Sequence, residues 1–200
     1  PCLIMELLDT SLKDIRNIKI INDKQILITI SNQILSTIEY IHSKNIIHRD
    51  IKPENIMFKK NKQDISIIDY GLARSYKTDN CHVNMTKNND VIGSYNYCGI
   101  HMHKGIRPSR RDDIESCLYV LLNLSSHLFP TTKNMSGLTT REKNNCHYNY
   151  KCSLSTTASN NEFVNNNISC IKYAHNLNYT DAPNYGFLKT KLSKTYYKDT

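Results

Sequence analysis

Two hundred residues, 39% hydrophobic and 22% charged, suffice for one domain with a sizeable core, because a chain of this length buries roughly 70% of its unfolded surface. That balance excludes a wholly disordered chain, and the longest apolar run, residues 117–122, falls far short of the roughly 18 residues that cross a bilayer. The net charge of +8 suits an anionic partner, but the lysines are scattered without interleaved aromatics, so neither nucleic acid nor a membrane is expected as partner.

Residues 3–8 read as a short buried strand; with Glu6 inside the apolar run and no basic residues before it, they do not read as a secretory signal. Ser11-Leu12-Lys13-Asp14 has the form of a capping box and opens a short helix. Over residues 22–43 the apolar positions Ile26, Leu27, Ile30, Ile34, Leu35, Ile38 and Ile41 recur at three and four, which predicts an amphipathic helix. Two β-like runs, 55–58 and 65–68, flank a polar connection and predict a hairpin. Residues 114–129 are apolar around most of a helical circumference, which predicts a central buried helix. From 131 to 167 the chain is rich in Asn, Thr and Ser with weak periodicity, and loops with one ill-defined helix are expected there.

Seven cysteines without a CxxC pair fit neither a disulfide framework nor a zinc ribbon. Reduced thiols in the cytoplasm or nucleus are the expectation. Cys146, His147 and Cys152, or His101 with His103, lack a second half-site at ligand spacing and predict no metal centre.

Chemistry concentrates in two places. His48-Arg49-Asp50-Ile51-Lys52-Pro53-Glu54-Asn55 lies between the long helix and the hairpin, and Asp69-Tyr70-Gly71 follows the second strand of that hairpin. In this order and context they resemble the catalytic loop and metal-binding turn of protein kinases. Phosphoryl transfer asks for alignment of a hydroxyl and neutralisation of phosphate charge. Asp50 accepts the hydroxyl proton in that scheme, and Asn55 and Asp69 offer the hard oxygen ligands that Mg²⁺ takes. Lys52 puts a cation where the moving phosphate gathers charge, as in serine/threonine kinases.

Further stretches resemble the casein kinase 1 family, with the vaccinia-related kinases as close cousins. They are residues 39–45, residues 93–97 with Gly105, residues 109–116 and residues 176–185. The resemblance covers about residues 3–130 and 168–192 and implies an α+β fold: a kinase-like large lobe, mostly helical with short β-hairpins, starting at the hinge. The Gly-rich loop, strand Lys and helix Glu of a small lobe are not among these 200 residues. The chain thus reads as a partial kinase domain, 1–200, with a divergent segment at 131–167.

Position by position, the resemblance implies ATP and Mg²⁺ as cofactors and Ser/Thr protein substrates. Met5 is then the gatekeeper, Leu7 and Leu8 the hinge at adenine, Asp14 a ribose contact and Met57 the floor under adenine. Asp113 is expected to hold the catalytic-loop backbone. Tyr70 stands where Phe is usual, and Asn96 where the family has an Arg implicated in recognising acidic or phosphorylated substrates. A non-catalytic scaffold binding proteins through this lobe is the alternative reading.

Overall fold

The computed structural model describes residues 6–18, 21–61, 63–87, 91–129 and 135–194. The expected strand at 3–8 is not found where it can be seen. Residues 3–5 lie outside the described residues, residues 6–8 are irregular, and Leu7 is 71% exposed. Pairing begins one step later, where the Asp9 N–H donates to the Phe58 carbonyl at 2.8 Å and the Phe58 N–H to the Thr10 carbonyl at 2.9 Å.

Helix α1, Leu12–Ile18, opens on the predicted box: the Ser11 N–H donates to the Asp14 carboxylate at 3.1 Å and the Asp14 N–H to Ser11 Oγ at 3.2 Å. Helix α2, Lys24–Ser43, starts at Asp23, which accepts from the Ile26 N–H at 3.1 Å. Leu27, Ile30, Ile34, Leu35, Ile38 and Ile41 are buried as the period requires. Ile26 is the exception, 48% exposed at the edge of that stripe.

Strand β1, Ile46–Ile47, leads into the catalytic-loop motif. Strands β2, Ile56–Phe58, and β3, Ile65–Ile67, form the predicted antiparallel hairpin, with Ile56 opposite Ile67 and Met57 opposite Ser66. Strand β4, Arg74–Ser75, pairs antiparallel with β1, and β5, Lys77–Thr78, with β6, Cys81–His82.

Helix α3, Arg110–Ser125, is the predicted central helix shifted toward the amino end by four residues. Ser109 caps it, with Asp112 returning the bond to the Ser109 N–H at 2.8 Å. Asp113 is therefore inside the first turn and not at its cap. Sequence periodicity sees only the apolar part of this helix; its first turn is charged yet buried.

The segment 131–167 departs from expectation. It carries α4, Thr140–Ser153, and the start of α5, Glu162–His175; α6, Tyr185–Ser193, follows. Helix α3 packs against α5 and α2, and α6 closes over α2 and α5. Leu118, Leu121, Ile34, Ile171 and Leu188 meet in that core, each fully or almost fully removed from solvent. The catalytic-loop motif lies on this core through Ile51, 1% exposed.

Candidate active site

Asp50 leaves the buried end of β1 and is itself only 9% exposed. Its carboxylate gathers three donors from separate places. Lys52 Nζ reaches Oδ2 at 2.6 Å, Asn55 Nδ2 reaches Oδ2 at 3.3 Å, and Ser94 Oγ reaches Oδ1 at 3.2 Å. Asn55 also donates to the Asp50 carbonyl at 2.9 Å, which closes the loop on itself. Because those bonds use the amide nitrogen, the Asn55 side-chain oxygen is left as a neutral ligand atom, with no donor on it among the described residues.

The Asp69-Tyr70-Gly71 turn is tied to this loop by backbone: the Ile68 N–H donates to the Asn55 carbonyl at 2.9 Å. The next residue, Asp69, has a left-handed backbone at φ 63°, ψ 72° and accepts from the Gly71 N–H through Oδ1 at 3.2 Å. That geometry leaves an exposed carboxylate beside the loop that carries Asn55. His48 braces the turn, its ring 4.8 Å from that of Tyr70 and its Nε2 3.1 Å from the Ile68 carbonyl. One exposed carboxylate and one neutral carbonyl fit Mg²⁺, which keeps part of its own water and phosphate shell. Among the described residues no group of three or more His, Cys, Asp or Glu forms a ready cage.

Behind the loop, Asp113 Oδ2 accepts the His48 N–H at 2.7 Å and Oδ1 the Arg49 N–H at 2.8 Å, as expected. Two partners were not foreseen. His42 Nε2 lies 3.0 Å from Asp113 Oδ2, and His42 Nδ1 lies 2.6 Å from the Tyr185 hydroxyl. Burial alone would raise the Asp113 pKa; the His42 bond and the two backbone N–H groups override it and hold the carboxyl below its ordinary value.

The geometry has a kinase-like order, and residues 1–180 match the family model of the protein kinase domain. The chain belongs to the protein kinase family. Protein kinase domains in general use ATP with Mg²⁺ and act on proteins, and this one has no helix, among its described residues, long and apolar enough to cross a membrane.

Met5 lies outside the described residues, Leu7 faces solvent, and Leu8 and Met57 are half-buried. Asp14 spends Oδ2 on the Ser11 N–H and hydroxyl, the latter at 2.6 Å, so only its other oxygen is open to a ribose. Ser94, which bonds Asp50, lines a cavity of about 340 Å³ together with Tyr95 and Asn96 and with Lys143 and His147 of α4. Sequence reasoning missed this α4 wall, because it comes from the segment expected to be loops.

Proposed function

We propose that this kinase domain transfers the γ-phosphate of ATP to Ser and Thr hydroxyls of proteins, and that it is of the casein kinase 1 type. The observation that carries the reading is Asp50: a buried carboxylate fixed by Lys52, Asn55 and Ser94, in a position to orient a hydroxyl and take its proton. ATP with Mg²⁺ supplies the phosphoryl group and the neutralising charge when bound, with Asn55 and Asp69 as its protein ligands. Lys52, 2.6 Å from Asp50, would neutralise charge on the transferring group.

The casein kinase 1 type is supported by convergence of its resembling stretches. His42 from residues 39–45, Asp113 from 109–116 and Tyr185 from 176–185 meet in one hydrogen-bonded chain behind the loop. Gly93, from another such stretch, approaches the Arg49 carbonyl where no side chain fits. Met5, Leu7, Leu8, Asp14 and Met57 remain the proposed adenosine contacts. The described cysteines, among them buried Cys98, Cys117 and Cys170, are free thiols, which supports a reducing compartment, cytoplasm or nucleus.

The test is phosphorylation of Ser, Thr and Tyr peptides by the chain joined to a kinase small lobe. Asp50→Asn should lower kcat with the KM for ATP retained, and Asp69→Asn should also raise the Mg²⁺ requirement. Full activity in either variant, or transfer to Tyr alone, overturns the assignment.

A further inference from the structure

Lys151, near the end of α4, is completely buried. An ammonium in that position survives only if all three of its N–H donors find acceptors. They do: Nζ lies 2.8 Å from the Tyr95 carbonyl, 2.6 Å from the Cys98 carbonyl and 2.9 Å from His103 Nε2. The histidine tautomer follows from its other side. His103 Nδ1 sits 2.7 Å from Asn144 Oδ1, an acceptor only, so Nδ1 carries the proton and Nε2 is free to accept from the lysine. The Tyr119 ring, with its centroid 4.9 Å from Nζ, supplies a further favourable surface for the cation. Burial pulls the Lys151 pKa down, while Cys98 and Glu115 act in the opposite sense.

Two of those three acceptors belong to one tight turn. The Tyr97 and Cys98 N–H groups both donate to the Ser94 carbonyl, at 3.0 and 2.9 Å, while the Tyr95 and Cys98 carbonyls point to the lysine. Ser94 opens the turn and holds Asp50 at 3.2 Å. One turn earlier on α4, His147 lines the cavity that the same loop borders.

We infer that Lys151 is a positioning residue, whose ammonium clamps the 94–98 turn and thereby sets both Ser94 against Asp50 and the wall of the adjoining cavity. The clamp is a property of the fold alone; its effect on substrate rests on the protein kinase reading above.

Hydrogen exchange on the 200-residue chain tests the clamp without any activity. In Lys151→Met the Tyr97 and Cys98 amides should exchange at least about tenfold faster than in the unsubstituted chain, beyond any change in Ile34→Ala, a cavity variant in α2. With a small lobe joined, the KM for peptide should rise about tenfold while the KM for ATP moves less than about threefold. Should Lys151→Met fail to fold, Lys151→Gln, which keeps two N–H donors without the charge, is measured in its place and should show the same direction. Exchange that rises equally across the turn and α2, or peptide and ATP KM values that rise together, overturns the inference. Absence of phosphorylation by the unsubstituted protein would count against the kinase reading and leave the exchange result to decide the clamp.

Discussion

Asp113 holds His48 by its backbone: the N–H of His48 donates to Oδ2 at 2.7 Å, and the N–H of the next residue donates to Oδ1 at 2.8 Å. That next residue, Arg49, sits at φ 70°, a left-handed conformation that costs a non-glycine residue roughly 1–2 kcal/mol. The carboxylate thus stabilises a bend that the loop does not favour by itself, and the bend delivers Asp50. Asp113→Ala strands two buried backbone donors as well as His42 and should cost about 3–5 kcal/mol, read as the shift in urea midpoint. Asp112, one residue earlier, should matter much less. It is 2% exposed and caps Ser109, so Asp112→Ala should cost about 0.5–2 kcal/mol. Equal losses in the two variants would remove the special role of Asp113.

Stability should peak near neutral pH, for two opposed reasons. Burial, aided by nearby cations, lowers the pKa of His101, His147 and His175 to about 4 and of His103 to about 3, from an ordinary 6.5. Between those values the unfolded chain binds more protons, so the folded state loses stability as pH falls from 6.5. Burial, then the Asp112 charge, pushes Glu115 up to about 8 from 4.5, and burial pushes Asp112 to about 6 from 3.8. For these the folded chain binds more protons, and stability falls as pH rises through the same window. Four histidines outweigh two carboxyls below 6.5, and Glu115 alone acts from there to about 8. Glu115→Gln keeps an acceptor for the Ile100 N–H, now bonded at 2.7 Å, and should flatten the alkaline limb. Melting temperatures across pH 5–8 decide it: an unchanged alkaline slope in the variant refutes the assignment.

The 200-residue chain by itself should bind ATP with Mg²⁺ weakly and transfer phosphate hardly at all. It supplies Asp50, Lys52, Asn55 and Asp69, but its sequence holds no Gly-rich loop to cover phosphates. Positioning provides most of the catalysis in this reaction, so an incompletely enclosed nucleotide is misaligned. Micromolar affinity in a calorimetric titration, or transfer by the purified chain, would sink this expectation.

What the sequence disclosed was local. The α2 stripe, the β2–β3 hairpin and the Ser11–Asp14 box are patterns within a few residues, as is the spacing of Asp50, Lys52 and Asn55. Helix α4 stayed hidden because its buried residues are His147 and Lys151, which leaves hydrophobic periodicity nothing to detect. Its capping box, Thr139 with Glu142, is a local signal that marks only where the helix starts. In α5, Asn167 occupies a core position, where its amide nitrogen donates to the Leu118 carbonyl at 2.9 Å, and it interrupts an otherwise regular stripe. The site's missing contacts are distant: Ser94 to Asp50, His42 to Asp113 and His42 to Tyr185 span 44, 71 and 143 residues. No local pattern encodes such pairs.

Two glycines separate backbone strain from contact with the catalytic loop. Gly93 and Gly137 both have positive φ, at 80° and 87°. A Cβ added at Gly93 would stand 2.6 Å from the Arg49 carbonyl oxygen and 3.2 Å from Asp50 Oδ1, whereas one at Gly137 meets nothing within 4 Å. Gly137→Ala should therefore cost only the conformational penalty, about 1–2 kcal/mol. Gly93→Ala carries the same penalty plus a clash with backbone that cannot rotate away, about 2–4 kcal/mol together. The difference also has a direction: relief requires the Arg49–Asp50 segment to move off Gly93, which pulls Asp50 from Ser94. In the chain joined to a small lobe, Gly93→Ala should reduce kcat at least about tenfold and Gly137→Ala less than about twofold. Paired urea titrations and steady-state kinetics read both effects. If the two variants lose equal stability and equal activity, the close approach of Gly93 to the loop has no functional weight.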